Sequence, residues 1–290
     1  MKLEKYSVFL KTTESGSLSA AAEELGCTQS AVSHAISSLE EELGFTLLIR
    51  NKGGIKLTAE GEKMLPAIRN YSNSLELLRQ TSAEIRGIRS GTVRIGSFTS
   101  VAVHWLPPVI KEFQKDYPDV SISLFNGDYH DVEEWLKDGS IDIGFVSLPI
   151  DLRCECTALV EDRLFAILPP EHKMASYPRF PLKECETEDF ISLLKSSDHD
   201  ARRALELAGV KPNVKYYTKD DYAIIAMVEQ GLGISIMPEL LLKNRHDRLA
   251  VLPLVPESRR TIGIAVADGS KTSPATLKFR EYVVEYVKTI

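Results

Sequence analysis

The sequence predicts a mixed α and α/β fold in three parts: a small helical domain ending in a hairpin, a long helix, and a two-lobed α/β domain. Three patterns indicate this. Apolar residues recur at helical spacing through the first 43 residues and then give way to two short β-like runs. A heptad pattern follows, and beyond residue 91 predicted strands and helices alternate. We expect the three parts to cover residues 1–57, 58–90 and 91–290.

The composition is that of a globular protein, and its charge is unevenly distributed. Hydrophobic residues make up 43% and charged residues 26% of the 290 residues. We find no run of the roughly 20 apolar residues that cross a bilayer and no apolar signal-peptide core, so we expect a cytoplasmic protein. The net charge is −6, yet residues 1–90 hold 11 Lys and Arg, 11 Glu and no Asp. The acidic excess therefore lies elsewhere, which permits a local basic patch in this region.

Two short helices around a glycine-containing turn are predicted near the N-terminus. Ser19 starts an Ala-rich helix that ends at Gly26. Thr28 can cap the next helix, which Gly44 closes. Residues 47–57 then form two β-like runs joined by an Asn-Lys-Gly-Gly turn. This order predicts a helix-turn-helix followed by a small hairpin, or wing.

The second helix of the pair has one apolar stripe and one polar face. Short donors and acceptors on the polar face suit phosphates and base edges in a major groove, and cations in the hairpin add to this surface. The candidate DNA-binding residues are Ser19, Thr28, Gln29, Ser30, Ser33, His34, Ser37, Arg50, Lys52 and Lys56. Two alternatives stay open: Ser30 and Ser33 as exposed capping residues, and Lys52 and Lys56 as part of a merely solvated turn.

A long helix is predicted from Thr58 to about Gly87, with a kink near Pro66. Its apolar positions alternate by four and three residues, with Ser82 as the one polar step, which indicates helix–helix pairing. The predicted dimerisation seam consists of Met64, Ile68, Tyr71, Leu75, Leu78 and Ile85. Packing of the helix on its own domain is the alternative. We favour a homodimer, because no obvious partner for so long a seam exists in cis.

Residues 87–91 form a predicted hinge, and two series of alternating strands and helices follow it. The first has strands at 92–96, 120–125 and 141–146 and helices at 105–117 and 131–137, and the second has strands at 190–194, 214–217 and 233–237 and helices at 200–208 and 221–230. The stretch 156–169 lies between the series. We expect one lobe at about 91–160 and 266–290 and the other at about 161–265. Such a periplasmic-binding-protein-like clamshell binds small ligands in its cleft.

The N-terminal motifs resemble the LysR-type transcriptional regulators. The helix-turn-helix pattern of that family appears as Ser19-Ala-Ala-Ala, Ser30-Ala-Val-Ser33 and Ile36-x-x-Leu39-Glu40-x-x-Leu43-Gly44. Its wing pattern appears as Leu47-Leu48-Ile49-Arg50 and Leu57-Thr58-x-x-Gly61. Sparser motifs, such as Asp142-Ile-Gly144 and Gly231-Leu-Gly233, extend the similarity over the rest of the chain.

This resemblance implies that Gln29, Ser30, Ser33 and His34 meet DNA and that Arg50 holds a phosphate at the base of the wing. Family members often carry Arg or Lys where this chain has His34 and Ser37, so we expect weaker phosphate attraction from this helix. The resemblance also implies a homotetramer built from two long-helix dimers. Its expected partners are promoter DNA, a small-molecule effector and RNA polymerase.

Two turns are candidates for the effector site, because hydroxyls and free backbone N–H groups converge where a strand leads into a helix. These are Ser97, Phe98, Thr99, Ser100 and Val101 in the first lobe, and Ser196, Ser197 and Asp198 in the second. The family resemblance adds Ser147, Thr218 and Lys219. Lys219 can pair with an anionic effector, whereas Asp198 would repel an anion or accept a bond from an amine or hydroxyl, so the residues do not decide the class of ligand. Ordinary helix capping is the alternative for these residues.

Two other classes of function were weighed. A transport-type solute-binding protein fits the two lobes but not the N-terminal helices. An enzyme is disfavoured because we find no nucleophile elbow, phosphate-binding loop, metal-ligand spacing or dinucleotide fingerprint, so we expect no catalytic residue, metal or cofactor. Cys27, Cys154, Cys156 and Cys185 are interpreted as small buried hydrophobes, with a redox or metal role for Cys154-x-Cys156 as the alternative.

Overall fold

The computed structural model describes residues 4–51, 54–86, 90–194, 200–243, 248–266 and 272–290. The chain divides into two compact units, Met1–Ile85 with Asp138–Ser140, and Arg86–Lys137 with Ile141–Ile290. No helix in these ranges is both long enough and apolar enough to span a bilayer. Lys52, Ser196, Ser197 and Asp198, together with residues 87–89 of the predicted hinge, lie outside the described residues.

The first unit contains the predicted helix-turn-helix and hairpin. Its elements are α1 Lys5–Ser15, α2 Leu18–Glu24, α3 Gln29–Leu43, β1 Leu48–Asn51, β2 Gly54–Leu57 and α4 Ala59–Ile85. Helix α2 begins before the predicted start at Ser19, because the hydroxyl of Ser17 accepts from Ala20 N at 3.4 Å and caps it. Thr28 caps α3 as predicted, and Gly44 ends α3 in the left-handed region at φ 80°.

The hairpin is held against the helices by polar contacts with α3 and with the turn between α1 and α2. The Glu40 carboxylate accepts from the backbone N–H groups of Leu47 and Leu48 at 2.7 and 3.1 Å. Ile55 N donates to Gly16 O at 2.9 Å, which joins β2 to the turn between α1 and α2. A buried cluster below α3 includes Phe9, Val32 and Leu39. The wing therefore has a fixed position relative to α3.

Helix α4 is 27 residues long, with Pro66 inside it, and the hydroxyl of Thr58 accepts from Gly61 N at 2.9 Å at its start. Part of the predicted dimerisation seam was wrong. Ile68 is 2% exposed and Met64 is partly buried, and both pack on the cluster of their own domain. The in-cis alternative applies to these two, because α4 begins beside the α1–α3 core. Farther along the helix, Tyr71, Leu78 and Ile85 are 50%, 64% and 82% exposed, whereas Leu75 is half-buried.

The second unit is α/β. Its elements are β3 Ser90–Ser97, α5 Thr99–His104, α6 Leu106–Asp116, β4 Asp119–Asn126, α7 Tyr129–Asp138, β5 Ile143–Leu148, β6 Glu155–Leu168, β7 Phe180–Pro181, a 3-10 helix Leu182–Glu186, β8 Phe190–Leu193, α8 Asp200–Leu207, β9 Val214–Thr218, α9 Asp221–Glu229, β10 Ser235–Pro238, α10 Glu239–Leu242, β11 Ala250–Val255, β12 Arg259–Val266 and α11 Pro274–Val287. The described strands of its main sheet run in the order β4-β3-β5-β12-β6-β11-β7, with β10 also paired to β6.

Two long strands connect the lobes. The stretch between the two predicted series, to which sequence analysis assigned no element, belongs mostly to β6, a strand of 14 residues. Its first part pairs antiparallel with β12, and its last part pairs with β10 and β11. Strands β3, β4 and β5 are mutually parallel, as the alternation predicts, whereas β6 and β12 are antiparallel. The two lobes therefore share continuous strands near residues 162 and 260.

Gly61 tests how closely α4 packs on the hairpin. A Cβ at this position would lie 2.2 Å from the carbonyl oxygen of Leu47, which belongs to the backbone and cannot rotate away. We expect Gly61→Ala to destabilise the protein by about 1–3 kcal/mol through overpacking, measured by urea denaturation. Ala59→Ser, at an exposed position in the same turn, serves as the control. Equal stability of the two variants would contradict the close approach.

Candidate functional site

Helix α3 presents the predicted polar face to solvent. Gln29, Ser30, His34 and Ser37 are exposed and Ser33 is half-buried, whereas the opposite face packs into the core. Thr28, which is exposed, caps the helix by accepting from Ala31 N at 3.2 Å, and its hydroxyl lies 2.9 Å from that of Ser30. The capping alternative therefore describes part of what Thr28 and Ser30 do.

Arg50 connects the hairpin to this face. It lies on β1, paired with Ile55 of β2, and its Nη2 donates to the hydroxyl of Ser33 at 2.9 Å. The Arg50 side chain is exposed, so the bond places a solvent-facing guanidinium beside the middle of α3. Because Ser33 accepts this bond, its hydroxyl proton remains able to donate to a phosphate or a base edge. One cation and one row of short polar groups thus form a single surface.

Two other predicted DNA-binding residues lie elsewhere on this unit. Lys56 is exposed on β2, opposite Ile49 of β1. Ser19 is exposed in the first turn of α2 and does not cap that helix. Lys56 adds a second cation to the hairpin, and Ser19 offers a hydroxyl on the neighbouring helix.

The second unit contains a cavity of about 510 Å³ between the two lobes. Lobe one contributes the start of α5 and the turn into α7, and lobe two contributes the starts of α8 and α9 and the end of β10. The described lining residues are Phe98, Thr99, Ser100, Val103, Asn126, Gly127, Asp128, Tyr129, Asp131, Leu164, Leu193, Asp200, Ala201, Lys219, Asp220, Asp221, Tyr222, Ile236, Met237, Pro238, Leu241 and Arg260.

The predicted effector residues divide into two groups at this cavity. Phe98, Thr99, Ser100 and Lys219 are among its described lining residues. Four others are not among the described lining residues: Ser97, Val101, Ser147 and Thr218. Ser97 and Val101 are buried, Ser147 donates to Asp200 at 2.8 Å, and the hydroxyl of Thr218 accepts from Asp220 N. Ser97, Ser147 and Thr218 lie on strands, where alternate residues point to opposite faces, and Val101 lies on the buried side of α5.

A buried ionic cluster that sequence analysis missed forms one wall of the cavity. Arg260 donates from Nε and Nη2 to Asp162 at 2.8 and 2.6 Å, and from Nη2 to Ser100 at 2.7 Å. Its Nη1 donates to the hydroxyl of Tyr129 at 2.6 Å. Tyr129 in turn donates to Asp200, whose carboxylate lies 3.7 Å from Arg260. The guanidinium carbon is also 5.0 Å from the centre of the Phe98 ring. The cluster thereby joins residues of both lobes.

The partners of Arg260 keep it charged despite its burial. Burial alone lowers the pKa of an arginine, but the carboxylates of Asp162 and Asp200 raise the pKa of Arg260 above its usual value. Burial also raises the pKa of Tyr129 well above its usual value, so the phenol stays protonated and able to donate to Asp200. The charge of Arg260 is therefore satisfied by protein groups.

The carboxylate of Asp221 differs from these groups. Burial raises the pKa of Asp221, and the nearby Asp220 and Asp200 carboxylates raise it further. A hydrogen bond with Thr99 and the charge of Arg260 act in the opposite direction without cancelling the shift. The carboxylate form of Asp221 is therefore less favourable here than in water, and a nearby positive charge would stabilise it.

The cysteines are free thiols in the structure. Burial raises the pKa of both Cys154 and Cys156, and it raises the pKa of Cys185 to about 12. Since the thiolate is the reactive form, these shifts disfavour the redox alternative for the Cys154-x-Cys156 pair. The interpretation as small apolar residues agrees with the packing of both side chains against an apolar cluster.

Adjacent arginines allow the buried cluster to be tested. We expect Arg260→Met to cost about 3–5 kcal/mol of unfolding free energy, because Asp162 would remain buried without its cation. Arg259→Met removes exposed pairs with Glu161 and Glu257, which water screens, and should lower the unfolding free energy far less. Denaturation of the two variants side by side measures the difference. Similar losses would contradict the assigned role of Arg260.

Both parts of the chain match known protein families. Residues 3–62 match the model of the bacterial regulatory helix-turn-helix proteins of the lysR family, and residues 86–288 match that of the LysR substrate binding domain. The uncharacterized HTH-type transcriptional regulator YvbU of Bacillus subtilis is 30% identical, with 98% of each chain covered.

Solved structures share the fold at lower identity. A full-length OxyR variant from Pseudomonas aeruginosa has a TM-score of 0.76 at 18% identity, with 99% of this chain and 95% of that chain covered. Full-length CbnR complexed with its target DNA has a TM-score of 0.68 at 22% identity, with 99% and 100% covered. The effector binding domain of QuiR in complex with shikimate has a TM-score of 0.62 at 23% identity, with 69% and 98% covered.

These matches confirm the predicted fold class and exclude the enzyme and solute-transport interpretations, since the family consists of transcriptional regulators. The chain belongs to the LysR family of DNA-binding transcriptional regulators, in which a helix-turn-helix domain is followed by an effector-binding domain.

Proposed function

We propose that this regulator reads its operator with the surface formed by α3 and Arg50. Gln29, Ser30, Ser33 and His34 enter a major groove, and Arg50 neutralises a phosphate at its edge. The observation that carries this assignment is the Arg50–Ser33 hydrogen bond, because it fixes a cation beside the polar face of α3. Ser19, Thr28 and Ser37 border this surface, and Lys52 and Lys56 supply further phosphate contacts from the wing.

Residues 1–57 bind DNA, residues 58–90 pair the chains, and residues 91–290 bind the effector. Within the last part, one lobe takes about 91–160 and 266–290 and the other about 161–265. Tyr71, Leu75, Leu78 and Ile85 form the pairing seam, which three strongly exposed apolar side chains support. A homodimer presents two DNA-binding surfaces, and two such dimers form a homotetramer. Because its target is chromosomal DNA, the protein acts in the cytoplasm.

The effector occupies the cavity between the lobes of the second unit. Its binding shifts the equilibrium between lobe arrangements, and this shift changes how the DNA-binding surfaces engage the promoter and how RNA polymerase gains access. The energy available is limited to the difference in effector affinity between the two states. The cavity supports this role by its volume and by the contribution of residues from both lobes to its wall.

Arg50 gives the sharpest test of DNA binding. In band-shift titrations with the DNA upstream of its own gene, Arg50→Ala should weaken binding and flatten the log–log salt slope by about 0.9, the value for one phosphate contact. Arg79→Ala, which removes an exposed arginine 3.6 Å from Glu4, is the matched control and should keep the slope. An unchanged affinity and slope for Arg50→Ala would refute the assignment.

A double-mutant cycle separates the contributions of Arg50 and Ser33 to operator affinity. Ser33→Ala leaves the cation in place, so we expect lower operator affinity with an almost unchanged salt slope. The effects of Ser33→Ala and Arg50→Ala should not add in the double variant, because the two side chains share one hydrogen bond. Additive effects, measured on the same operator fragment, would indicate that the bond does not persist on DNA.

A further inference from the structure

The charge of the effector cavity identifies the class of molecule that it accepts. Five carboxylates lie among its described lining residues: Asp128, Asp131, Asp200, Asp220 and Asp221. Two cations, Lys219 and Arg260, face them. Because fields add in a confined cleft with low-dielectric walls, this excess of carboxylates attracts positive charge and repels anions.

Arg260 does not offset this excess toward a ligand. Its nitrogens already donate to Asp162, Ser100 and Tyr129. Ser100, a hydroxyl expected from the sequence to hold an anion, is itself buried and accepts from Arg260. An anion at this wall would therefore have to displace existing bonds of the fold. Among the described lining residues, Lys219 remains as the exposed cation.

Four of the five carboxylates have structural tasks. Asp128 and Asp131 each accept a backbone N–H of the other at 2.9 Å at the start of α7. Asp220 caps α9 by accepting from Tyr222 N and Ala223 N at 2.8 and 3.3 Å. Asp200 accepts from Ser147 and Tyr129.

Asp221 is the exception. It shares a hydrogen bond with Thr99 across the cavity, while Asp200 and Asp220 lie close enough to repel its charge. A protonated nitrogen between these groups would supply the missing positive partner. Charge-assisted hydrogen bonds of this kind are about twice as strong as neutral ones.

An apolar wall completes the cavity. It is formed from lobe two by Leu164, Leu193, Ile236, Met237 and Leu241, and from lobe one by Phe98 and Val103. A ligand that satisfies both surfaces combines a cationic nitrogen with a hydrocarbon or aromatic body.

We propose that the effector is an organic cation, with a protonated amine or guanidine nitrogen held by Asp221 and an apolar portion on the wall of Leu164, Ile236 and Met237. This inference rests on the proposed function, in which the cavity is the effector site. It replaces the anionic effector expected from Lys219 and the turn hydroxyls.

The test uses the full-length protein and probes in matched sets. Thermal shift and calorimetry are recorded with phenethylamine, tryptamine, agmatine and spermidine, and with 3-phenylpropanoate, 3-indolepropanoate and adipate as the anionic counterparts. We expect amines to raise the melting temperature and the anions to leave it unchanged. Asp221→Asn should weaken the best amine by about tenfold or more, the loss of one charge-assisted bond.

Two control variants make the result specific. Asp151→Asn, at an exposed position outside the described lining, should keep amine affinity. Lys219→Gln should keep or increase it, because a competing cation is removed. Equal weakening by Asp151→Asn and Asp221→Asn would overturn the assigned contact, as would amine binding that Asp221→Asn leaves intact.

The two levels of inference fail in different ways. Binding of carboxylate probes that is lost in Lys219→Gln overturns the cationic class but leaves the cavity as the effector site. Binding of neither class overturns both the cationic class and the proposed cavity. The proposed operator-binding surface is tested separately by band shift, so neither outcome bears on it.

Discussion

The α/β unit depends on one buried charge, the guanidinium of Arg260. Removal of an ion from water costs several kcal/mol, so the fold must provide partners on all sides. Its cross-strand partner is Asp162, at the point where β6 passes from one lobe to the other. Ser100 and Tyr129 come from α5 and α7 of the first lobe, and Asp200 begins α8 of the second. A single group thereby fixes several helix ends around the cavity.

This arrangement gives the cluster a consequence for motion between lobes. Tyr129 and Ser147 of the first lobe both donate to Asp200 of the second. Any change in the angle between the lobes must stretch or exchange these bonds, while the Arg260–Asp162 pair, on the shared strands, is retained. A ligand shifts the lobes only to the extent that its contacts in one arrangement exceed the cost of altering these bonds. Asp200 therefore connects occupancy of the cavity to the geometry of the unit.

The sequence predicts the first unit and its polar face well because the signals there are local. Thr28 and Gly44 bound α3 through contacts with residues near in the chain, and a helix places residues three and four apart on one side. The α/β unit was predicted only in outline. Sequence analysis assigned no strand to the stretch 156–169, because the first part of β6 leaves many side chains exposed and only its last part has a continuous apolar run. Arg260 and Asp162 are 98 residues apart, and their pairing depends on the register of β6 with β12, which no local pattern encodes.

The scarcity of cations on α3 determines how such a regulator can achieve specificity. The first 90 residues have equal numbers of basic and acidic side chains, and the polar face of α3 presents hydroxyls, an amide and an imidazole. Phosphate attraction from each DNA-binding surface is therefore small, and with it the affinity for arbitrary sequences, which is mainly electrostatic. On the proposed assignment, specific affinity comes from base-edge contacts by residues such as Gln29 and from presenting two surfaces at once. A chain with a net charge of −6 can still distinguish its operator from other DNA, because weak phosphate attraction lowers its affinity for arbitrary sequences more than its affinity for the operator.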